Sequence, residues 1–386
     1  MNVPKLRFKE FNDEYKTYKF YDVAKLYRGS SPRPIVNFIT KSEDSVNWIK
    51  IGDVSPNETY INSTSEKITE EGAKKSRRVY KGEIILSNSM SFGRPYILNL
   101  DGCIHDGWFV VRDYEKLLNK KYLYHFMSSP LIQKQYKTLS AGGVVSNISS
   151  ELVYSVKLNI PSKEEQLKVA KFLSLLDKKI ELQNKKIEDL KLFKLYTKNQ
   201  IFKDYDERFK LKDILVKWNK KNKNNSVKYV ESISNKYGFI SQSDQFEDRN
   251  VASKDLNNYY IIEKGVFGYN PSRLNVGSLA LKTNDKVSVV SPLYECFTTS
   301  QNNQYLLEWF DSKYFRKETI SKFEGGVRNT LNFSNLCEIE IGLPTIEKQN
   351  MYSRIFKIFN NKIEFEVKKL YKLQELKKGL LQSMFV

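Results

Sequence analysis

Apolar residues recur at three- and four-residue steps in two long segments of the chain. These positions are Leu173, Leu176, Ile180, Ile187 and Leu190 in the first segment, and Phe356, Phe359, Ile363, Leu370 and Leu373 in the second. The stripe is narrow and the opposite face is heavily charged, which is typical of a helix that pairs with another helix. We therefore predict two long helices of roughly 38 residues, each about 57 Å long at a rise of 1.5 Å per residue.

The starts of both helices carry local signals. The first helix is predicted to begin after Pro161, where Ser162 and Glu165 have the spacing of a capping box. The second is predicted to follow Pro344-Thr345, where Lys348 takes the place of Glu165.

A polar residue interrupts both apolar stripes at the same place, Gln183 in the first helix and Glu366 in the second. This match favours pairing of the two helices with each other within one chain. The alternative is that each helix lies on its own globular part as an ordinary core helix.

The helices belong to an internal repeat with an offset of 183 residues. Gly142-Gly143-Val144 recurs as Gly325-Gly326-Val327, and Pro161 recurs as Pro344 (344 − 161 = 183). The same offset relates Lys81-Gly82 to Lys264-Gly265, Tyr122-Leu123 to Tyr305-Leu306, Glu165-Gln166 to Lys348-Gln349, Ile180-Glu181 to Ile363-Glu364, and Phe202 to Phe385. A duplicated module of this size makes a molecule with two similar faces. Such a molecule suits duplex DNA that offers two similar sites at a fixed distance.

Strand and helix signals are mixed in the rest of the chain, so the predicted fold class is α+β. We divide the chain into a first globular domain (1–155), a central helix (156–203), a second globular domain (204–340) and a C-terminal helix (341–386).

Within the globular domains, Asp101-Gly102 between two apolar runs predicts a β-hairpin with a type I′ turn. Asn284-Asp285 predicts a weaker one. Helices are predicted near residues 113–128 and 304–322.

The charge of the chain indicates a polyanionic partner. It has 64 basic and 45 acidic residues, a net charge of +19; a generally lysine-rich proteome is the alternative explanation. No apolar run approaches the ~20 residues needed to cross a bilayer, and the N-terminus has no signal-peptide core. The three cysteines are too few for a disulfide framework. We expect a cytoplasmic protein.

No constellation of residues indicates catalysis. The two histidines, His105 and His125, lack the third partner that would orient a base. Cys103 and His105 form a C-x-H pair, but no second ligand pair follows at zinc spacing. Phosphate-binding, dinucleotide-binding and adenine-methyltransferase motifs are missing. The acidic and lysine pattern at 364–368 lies on a predicted helix, where a solvated face explains it better than a nuclease site. We expect no catalytic group, metal or cofactor in this chain.

Basic and small polar residues cluster in loops of both globular domains. Arginine can bond guanine, asparagine adenine and serine either base, while lysine and arginine hold phosphates. The DNA-binding candidates of the first domain are Arg28, Ser30, Ser31, Arg33, Lys74, Lys75, Arg77, Arg78, Ser89, Ser91, Arg94, His105, Gly142 and Gly143. Those of the second are Asn270, Ser272, Arg273, Asn275, Gly325, Gly326 and Arg328. A solvated loop remains the commoner explanation for any single cluster. The matching Gly-Gly pairs either let the backbone approach a groove closely or form plain turns.

Several segments resemble the DNA specificity subunits of type I restriction-modification systems. They are Trp48-Ile49-Lys50-Ile51-Gly52-Asp53-Val54, Ile68-Thr69-Glu70-Glu71-Gly72-Ala73, Lys81-Gly82-Glu83-Ile84-Ile85-Leu86-Ser87, and Ile160-Pro161 with Glu164-Glu165-Gln166, echoed by Leu343-Pro344, Glu347 and Gln349. The resemblance spans nearly the whole chain, and the order and duplication of the motifs make it specific. The second half departs from the pattern, because residues 229–233 stand where a run like 48–54 would fall.

The resemblance implies two similar mixed α/β target recognition domains, separated by two long antiparallel coiled-coil helices in a pseudo-twofold repeat. Each domain would read one half of a split double-stranded DNA target in the major groove, and the helices would set the gap. The implied partners are two methyltransferase (modification) subunits, which use S-adenosylmethionine, and restriction subunits, which use ATP and Mg²⁺. Two alternatives stay open: a stand-alone methyltransferase or nuclease, and a coiled-coil adaptor that binds only proteins.

Overall fold

The computed structural model describes residues 3–54, 58–88, 93–140, 148–203, 205, 207–235, 237–242, 255–319 and 330–386. The chain divides into two compact units. The first unit combines Met1–Asn184 with Lys368–Val386, and the second is Lys185–Val367. Each unit therefore contains one globular part and a piece of both long helices. The domain boundaries at 155, 203 and 340 stay predictions.

The globular part of the first unit contains two five-stranded sheets and a two-stranded ribbon. Its strands are β1 (Lys16–Lys19), β2 (Lys25–Arg28), β3 (Ile39–Thr40), β4 (Val46–Ile49), β5 (Tyr60–Ile61), β6 (Glu66–Ile68), β7 (Arg77–Val79), β8 (Ile84–Ser87), β9 (Pro95–Leu98), β10 (Gly102–Ile104), β11 (Trp108–Arg112) and β12 (Lys157–Ile160). The helices are α1 (Phe20–Val23), α2 (Glu70–Lys74), α3 (Lys120–Met127), α4 (Pro130–Ser140), α5 (Ser150–Ser155) and the long α6 (Lys163–Ile201). The strand orders are β2-β11-β8-β9-β5, β3-β6-β4-β10-β7 and β1-β12.

The sheet that contains β8 and β11 lies between two apolar cores. Ile84 and Leu86 of β8 belong to one core and Ile85 to the other. Along β11, Phe109 and Val110 divide between the two cores in the same way, because successive side chains of a strand point to opposite faces. Both faces are therefore buried, which explains why these strands are unbroken apolar runs. The first of the cores also contains α3 and segments of both long helices.

The second unit repeats part of this design. Its strands are β13 (Arg208–Lys210), β14 (Leu215–Lys217), β15 (Glu231–Ser234), β16 (Gly238–Ser241), β17 (Tyr260–Ile262), β18 (Phe267–Tyr269), β19 (Leu279–Leu281), β20 (Ser288–Val290), β21 (Glu295–Thr299) and β22 (Glu340–Gly342). The helices are α7 (Asn303–Phe310), α8 (Lys313–Thr319), α9 (Phe333–Cys337) and the long α10 (Ile346–Ser383). The strand order β14-β21-β18-β19 matches β2-β11-β8-β9, and the pairs β13-β22, β15-β16 and β17-β20 complete the described sheets.

Both predicted hairpins are wrong. Strands β9 and β10 belong to different sheets, and β10 pairs with β4 and β7. Neither Asp101 nor Gly102 has the positive φ of a type I′ turn. Gly102 is instead needed for a close approach, since a Cβ there would lie 2.6 Å from the carbonyl oxygen of Asn47. In the second unit β19 pairs with β18 whereas β20 pairs with β17, so the turn at Asn284-Asp285 also connects two sheets.

The two long helices are confirmed, and they run antiparallel inside each unit. In the first unit, Asp177 of α6 lies 2.5 Å from the Nζ of Lys377 on α10. In the second unit, the rings of Phe193 and Phe359 have centroids 5.4 Å apart. The ten apolar positions of the predicted seam are buried or half-buried in the structure.

The start of α6 differs partly from its prediction. The hydroxyl of Ser162 accepts a hydrogen bond from the Glu165 amide at 3.3 Å, as a capping box requires. The Glu165 carboxylate does not complete the box. It accepts bonds from Arg7 at 2.8 and 2.9 Å and from the Tyr15 hydroxyl at 2.8 Å, and so ties the N-terminal segment to the helix.

Side chains related by the repeat offset make the same contact in both units. In the first unit Tyr122 of α3 packs against Phe385, with ring centroids 5.3 Å apart. In the second unit Tyr305 of α7 packs against Phe202 at 5.2 Å. Each globular part thus receives the C-terminal end of one long helix in the same way.

Candidate nucleic-acid interface

Two loops that are distant in sequence meet at one edge of the first unit. The Ser30 hydroxyl donates to the Lys75 carbonyl at 3.1 Å, and the Ser76 hydroxyl donates to the Ser30 carbonyl at 2.6 Å. The Arg77 Nε donates to the Arg28 carbonyl at 3.3 Å. These bonds place the two basic clusters predicted from the sequence side by side.

Asp106 organises this edge, although sequence reasoning did not select it. Its carboxylate accepts from the Ser31 hydroxyl at 2.6 Å and lies 2.8 Å from His105 Nε2 and 3.9 Å from Arg33. Its carbonyl accepts from Arg28 Nε at 3.2 Å. Burial opposes ionisation, but the bond from Ser31 and the neighbouring His105 and Arg33 hold the pKa of Asp106 below its ordinary value. Sequence alone could not select Asp106, because only the fold brings its carboxylate next to the basic loops.

We call the exposed basic side chains of this region the basic edge. Its members are Arg28, Arg33, Lys74, Lys75, Arg77 and Arg78. Arg78 forms an ion pair with Glu70, and Lys75 lies over the ring of Phe38 at 4.8 Å. The edge therefore offers several solvent-facing cations held on an ordered backbone, an arrangement suited to phosphate contact.

Arg94 lies at a second basic position of the first unit. It is exposed, in the connection between β8 and β9, and lines a cavity of about 390 Å³ together with Lys377 and Lys378 of α10. Gln133 and Gln374 also line this cavity. Sequence reasoning missed the two lysines, because a charged helix residue gives no sign of which loop it will face.

The corresponding connection of the second unit, between β18 and β19, carries predicted residues. Asn270 caps the short 3₁₀ helix Pro271–Val276, because its side-chain oxygen accepts from the Ser272 amide at 3.0 Å. Gly277 closes this helix with a φ of 87°. Arg273 and Ser272 are exposed. The structure thus presents an arginine from the β8–β9 connection in one unit and from its counterpart in the other.

The other predicted residues cannot be placed in such detail. The backbone of Asn275 belongs to the short helix Pro271–Val276. Ser89, Ser91, Gly142, Gly143, Gly325, Gly326 and Arg328 lie outside the described residues. Within the described ranges, no helix is both long and apolar enough to span a membrane, and no three His, Cys, Asp or Glu side chains are grouped to share a metal ion.

Known proteins are similar to this chain in sequence and in fold. Residues 12–192 match the model of the type I restriction modification DNA specificity domain. The MjaVIII specificity subunit of a type I restriction enzyme from Methanocaldococcus jannaschii is 22% identical over 298 residues, covering 68% of this chain and 69% of that protein. The MjaIX specificity subunit from the same organism is 26% identical over 234 residues, covering 58% of this chain and about half (53%) of its own length.

A solved structure extends the likeness to the whole fold. The type I restriction-modification S subunit from M. genitalium superposes with a TM-score of 0.59 at 14% identity, covering 100% of this chain and 99% of that one. Its fold and that of this chain are therefore the same. The chain is therefore similar to type I restriction-modification DNA specificity subunits, in sequence over residues 12–192 and in fold over its whole length.

Proposed function

We propose that this chain is the sequence-reading subunit of a type I restriction-modification complex, and that each globular part reads one half of a bipartite DNA target in the major groove. The observation that carries the proposal is a repeat that folds twice around the same four-stranded order. In both copies an exposed arginine occupies the same inter-strand connection.

The basic edge supplies the part of binding that does not depend on sequence. Its exposed arginines and lysines would neutralise phosphates, which positions a protein on the duplex without reading bases. Affinity should therefore fall steeply with salt, because every neutralised phosphate releases counterions. The loops that carry Arg94 and Arg273 would supply base contacts, since arginine can bond guanine through two hydrogen bonds.

The helix pair would dock the methyltransferase subunits. Each long helix carries a second apolar stripe, separate from the seam: Leu175 and Leu182 on α6, and Ile358 and Phe365 on α10. All four side chains are more than half exposed, and the two pairs obey the 183-residue offset. At 100° per residue, each stripe lies roughly 120–140° around its helix from the mean direction of the seam. Exposed apolar stripes of this kind mark protein interaction sites, and two equivalent stripes suit two modification subunits.

We assign the chemistry to the partner subunits. In this proposal S-adenosylmethionine binds the modification subunits, while ATP and Mg²⁺ serve the restriction subunits. The engagement of the two histidines supports a non-catalytic role for this chain. His105 contacts Asp106 and accepts from the Gly107 amide at 2.9 Å, and His125 is buried against α6.

Methylation mapping tests the reading function directly. Cells that express the chain with its methyltransferase partner should carry adenine methylation at one split sequence motif, and purified complex should bind that motif in preference to scrambled DNA. Equal affinity for every sequence would contradict the proposal. Methylation or cleavage by the chain alone, with S-adenosylmethionine and Mg²⁺, would favour the stand-alone enzyme. DNA-independent binding to proteins only would favour the adaptor.

The spacing role has its own test. Inserting about four residues, roughly one helical turn, into 185–194 and into the equivalent stretch 368–377 should lengthen the unread gap of the methylated motif. Insertion of four residues into the exposed turn at 41–44, between β3 and β4, serves as control and should leave the gap unchanged. An unchanged gap after the helix insertions would remove the spacer role.

A further inference from the structure

A buried polar cluster joins α3 to both long helices in the first unit. His125 of α3 is 1% exposed; its Nε2 lies 3.3 Å from the Ser174 hydroxyl and its Nδ1 lies 3.8 Å from the Asp177 carboxylate. Asp177 of α6 in turn pairs with Lys377 of α10 at 2.5 Å. Burial, assisted by Lys377 and Lys121, lowers the pKa of His125 to about 3, so its ring is neutral. The cluster thus contains one carboxylate and one ammonium group.

A second cluster joins α7 to both long helices in the second unit. The Glu308 carboxylate lies 2.8 Å from the Nζ of Lys194 and 2.8 Å from the Nζ of Lys198, both on α6. Lys194 also donates to Asn360 of α10 at 2.8 Å, and Lys198 lies 2.7 Å from Asp311. Here two carboxylates face two ammonium groups, and Glu308 and Lys198 are both buried.

The two clusters occupy equivalent places but carry different groups. The repeat offset relates His125 to Glu308, Ser128 to Asp311, Asp177 to Asn360, Lys377 to Lys194, and Leu381 to Lys198. Leu381 belongs to the apolar core of the first unit. The two clusters therefore occupy equivalent backbone positions, but their charged side chains differ in number and place.

The apolar seam distinguishes the segments 185–203 and 368–386 only weakly. At equivalent positions both carry aliphatic seam residues, Ile187 and Leu190 on α6, and Leu370 and Leu373 on α10. A segment of α6 could therefore pack where the equivalent segment of α10 belongs, in a second copy of the chain. Specificity between such similar partners generally requires groups that penalise the wrong one.

We infer that the two clusters are pairing elements, which assign each helix segment to its own globular part and disfavour exchange with a second copy of the chain. If 185–203 replaced 368–386 in the first unit, Lys198 would enter the place of Leu381. There it would meet neutral His125 and Ser128 instead of Glu308 and Asp311. The Asp177 carboxylate would then face two ammonium groups, and a buried ammonium group without a carboxylate of its own is strongly destabilising.

The reverse exchange is also unfavourable. If 368–386 replaced 185–203 in the second unit, Leu381 would take the place of Lys198. Glu308, which is buried, would then keep only one of its two ammonium partners, and Asp311, which is exposed, would lose Lys198. Loss of one of the two ammonium partners of a buried carboxylate costs stability. Both exchanges of helix segments therefore cost stability. Only the observed pairing of helix segments and globular parts gives the buried charged groups of each cluster their partners. This inference does not depend on the proposed reading of DNA.

Full-length variants test the inference by transplantation. Leu381→Lys places an uncompensated ammonium group in the first cluster and should lower the melting temperature by about 10 °C. Adding His125→Glu, Ser128→Asp and Asp177→Asn to Leu381→Lys gives the first cluster the groups of the second, and most of that loss should be recovered. Leu381→Met is the matched control and should melt close to the wild type. A four-fold variant no more stable than Leu381→Lys, or a Leu381→Lys variant as stable as the control, would overturn the inference.

The same four-fold variant tests whether the clusters match each helix segment to its own globular part, because its two clusters carry the same groups. We expect refolding from denaturant at rising protein concentration to give a dimer fraction several-fold above that of the wild type, measured by light scattering after gel filtration. Equal dimer fractions at every concentration would show that the clusters do not discriminate between helix segments.

Discussion

The two units agree closely where each meets the long helices and differ most on the side of the sheet away from them. In the first unit the Gln166 side chain accepts from the Asn119 amide at 2.8 Å. In the second unit Gln349 accepts from the Asn302 amide at 3.1 Å. Both asparagines cap the helix that follows them, α3 or α7. The junction with the helices is therefore the same in both units down to individual hydrogen bonds.

The far side has changed in character. In the first unit Trp48 lies in β4 of a five-stranded sheet and is 1% exposed. In the second unit the run 229–233 instead supplies Glu231, which forms a buried ion pair with Lys282 and accepts a bond from Ser288. The junction with the long helices has the same geometry in both units and therefore needs the same residues. The interior away from the helices needs only to be well packed and to have its buried polar groups paired, so its residues can differ. This freedom fits the proposed function, in which the two globular parts read different half-sites.

The largest expected effect concerns this difference. Glu231→Ala leaves the Lys282 ammonium group buried without a partner, which should lower the free energy of unfolding by about 3–5 kcal/mol. The double variant Glu231→Leu/Lys282→Met removes both charges and should lose much less. Urea unfolding of the full chain measures both. If the single and double variants lost the same free energy of unfolding, the unpaired Lys282 charge would not be the cause of the loss.

The preserved junction gives a smaller and symmetric effect. Gln166→Ala and Gln349→Ala each remove the acceptor of a partly buried backbone amide, so each should cost about 1 kcal/mol or somewhat more. Because the two glutamines make equivalent bonds, the two losses should agree closely. Urea unfolding with probes in each unit would measure them, and a large loss in one unit beside none in the other would break the comparison.

DNA binding should show asymmetry of a different kind. Arg94→Ala and Arg273→Ala should each weaken binding by about 1–3 kcal/mol and relax base preference in one half-site only. Lys74→Ala, on the basic edge, is the control: it should weaken binding to all sequences alike and reduce the salt dependence. Titration of the complex against DNA libraries measures both. Loss of preference in both half-sites from one arginine would argue against separate reading.

The smallest effect is on pH dependence. The folded pKa of His125, about 3, lies below the ordinary value near 6.5, so stability is complete above pH 6.5 and is lost as the pH falls towards 3. The loss between pH 6.5 and 5.5 should be about 1 kcal/mol. Burial raises the pKa of the neighbouring Asp177, which acts in the opposite direction at lower pH. His125→Gln should flatten the profile in this interval; an unchanged slope would mean that the ring is already charged in the fold.

The sequence predicted the parts of the fold that depend on periodic pattern. The seam from Leu173 to Leu190 and the start of α6 at Ser162 follow from local spacing, and both are seen in the structure. The predicted hairpin at Asp101-Gly102 was wrong. The glycine is required because the backbone of Asn47 approaches it closely, and local sequence cannot reveal that contact.

Sequence reasoning was less complete at the candidate interface. It selected Arg28 and Arg77 as basic loop residues, but their common edge depends on hydrogen bonds between distant loops. Asp106, Lys377 and Lys378 were missed because their significance depends on which loop each one faces. Residue type identifies candidates for phosphate contact, while only the tertiary fold identifies the groups that orient them.

The midpoint division of both long helices decides how such a protein can be re-engineered. The second unit is one uninterrupted stretch, 185–367, whereas the first is assembled from two pieces. A transplant that exchanges the second unit, and with it the half-site that we propose it reads, should therefore be joined inside the helices, near residues 184 and 367, so that the imported unit brings its own polar cluster. Junctions placed in the neighbouring loops would cut the graft away from the helix segments against which it is built.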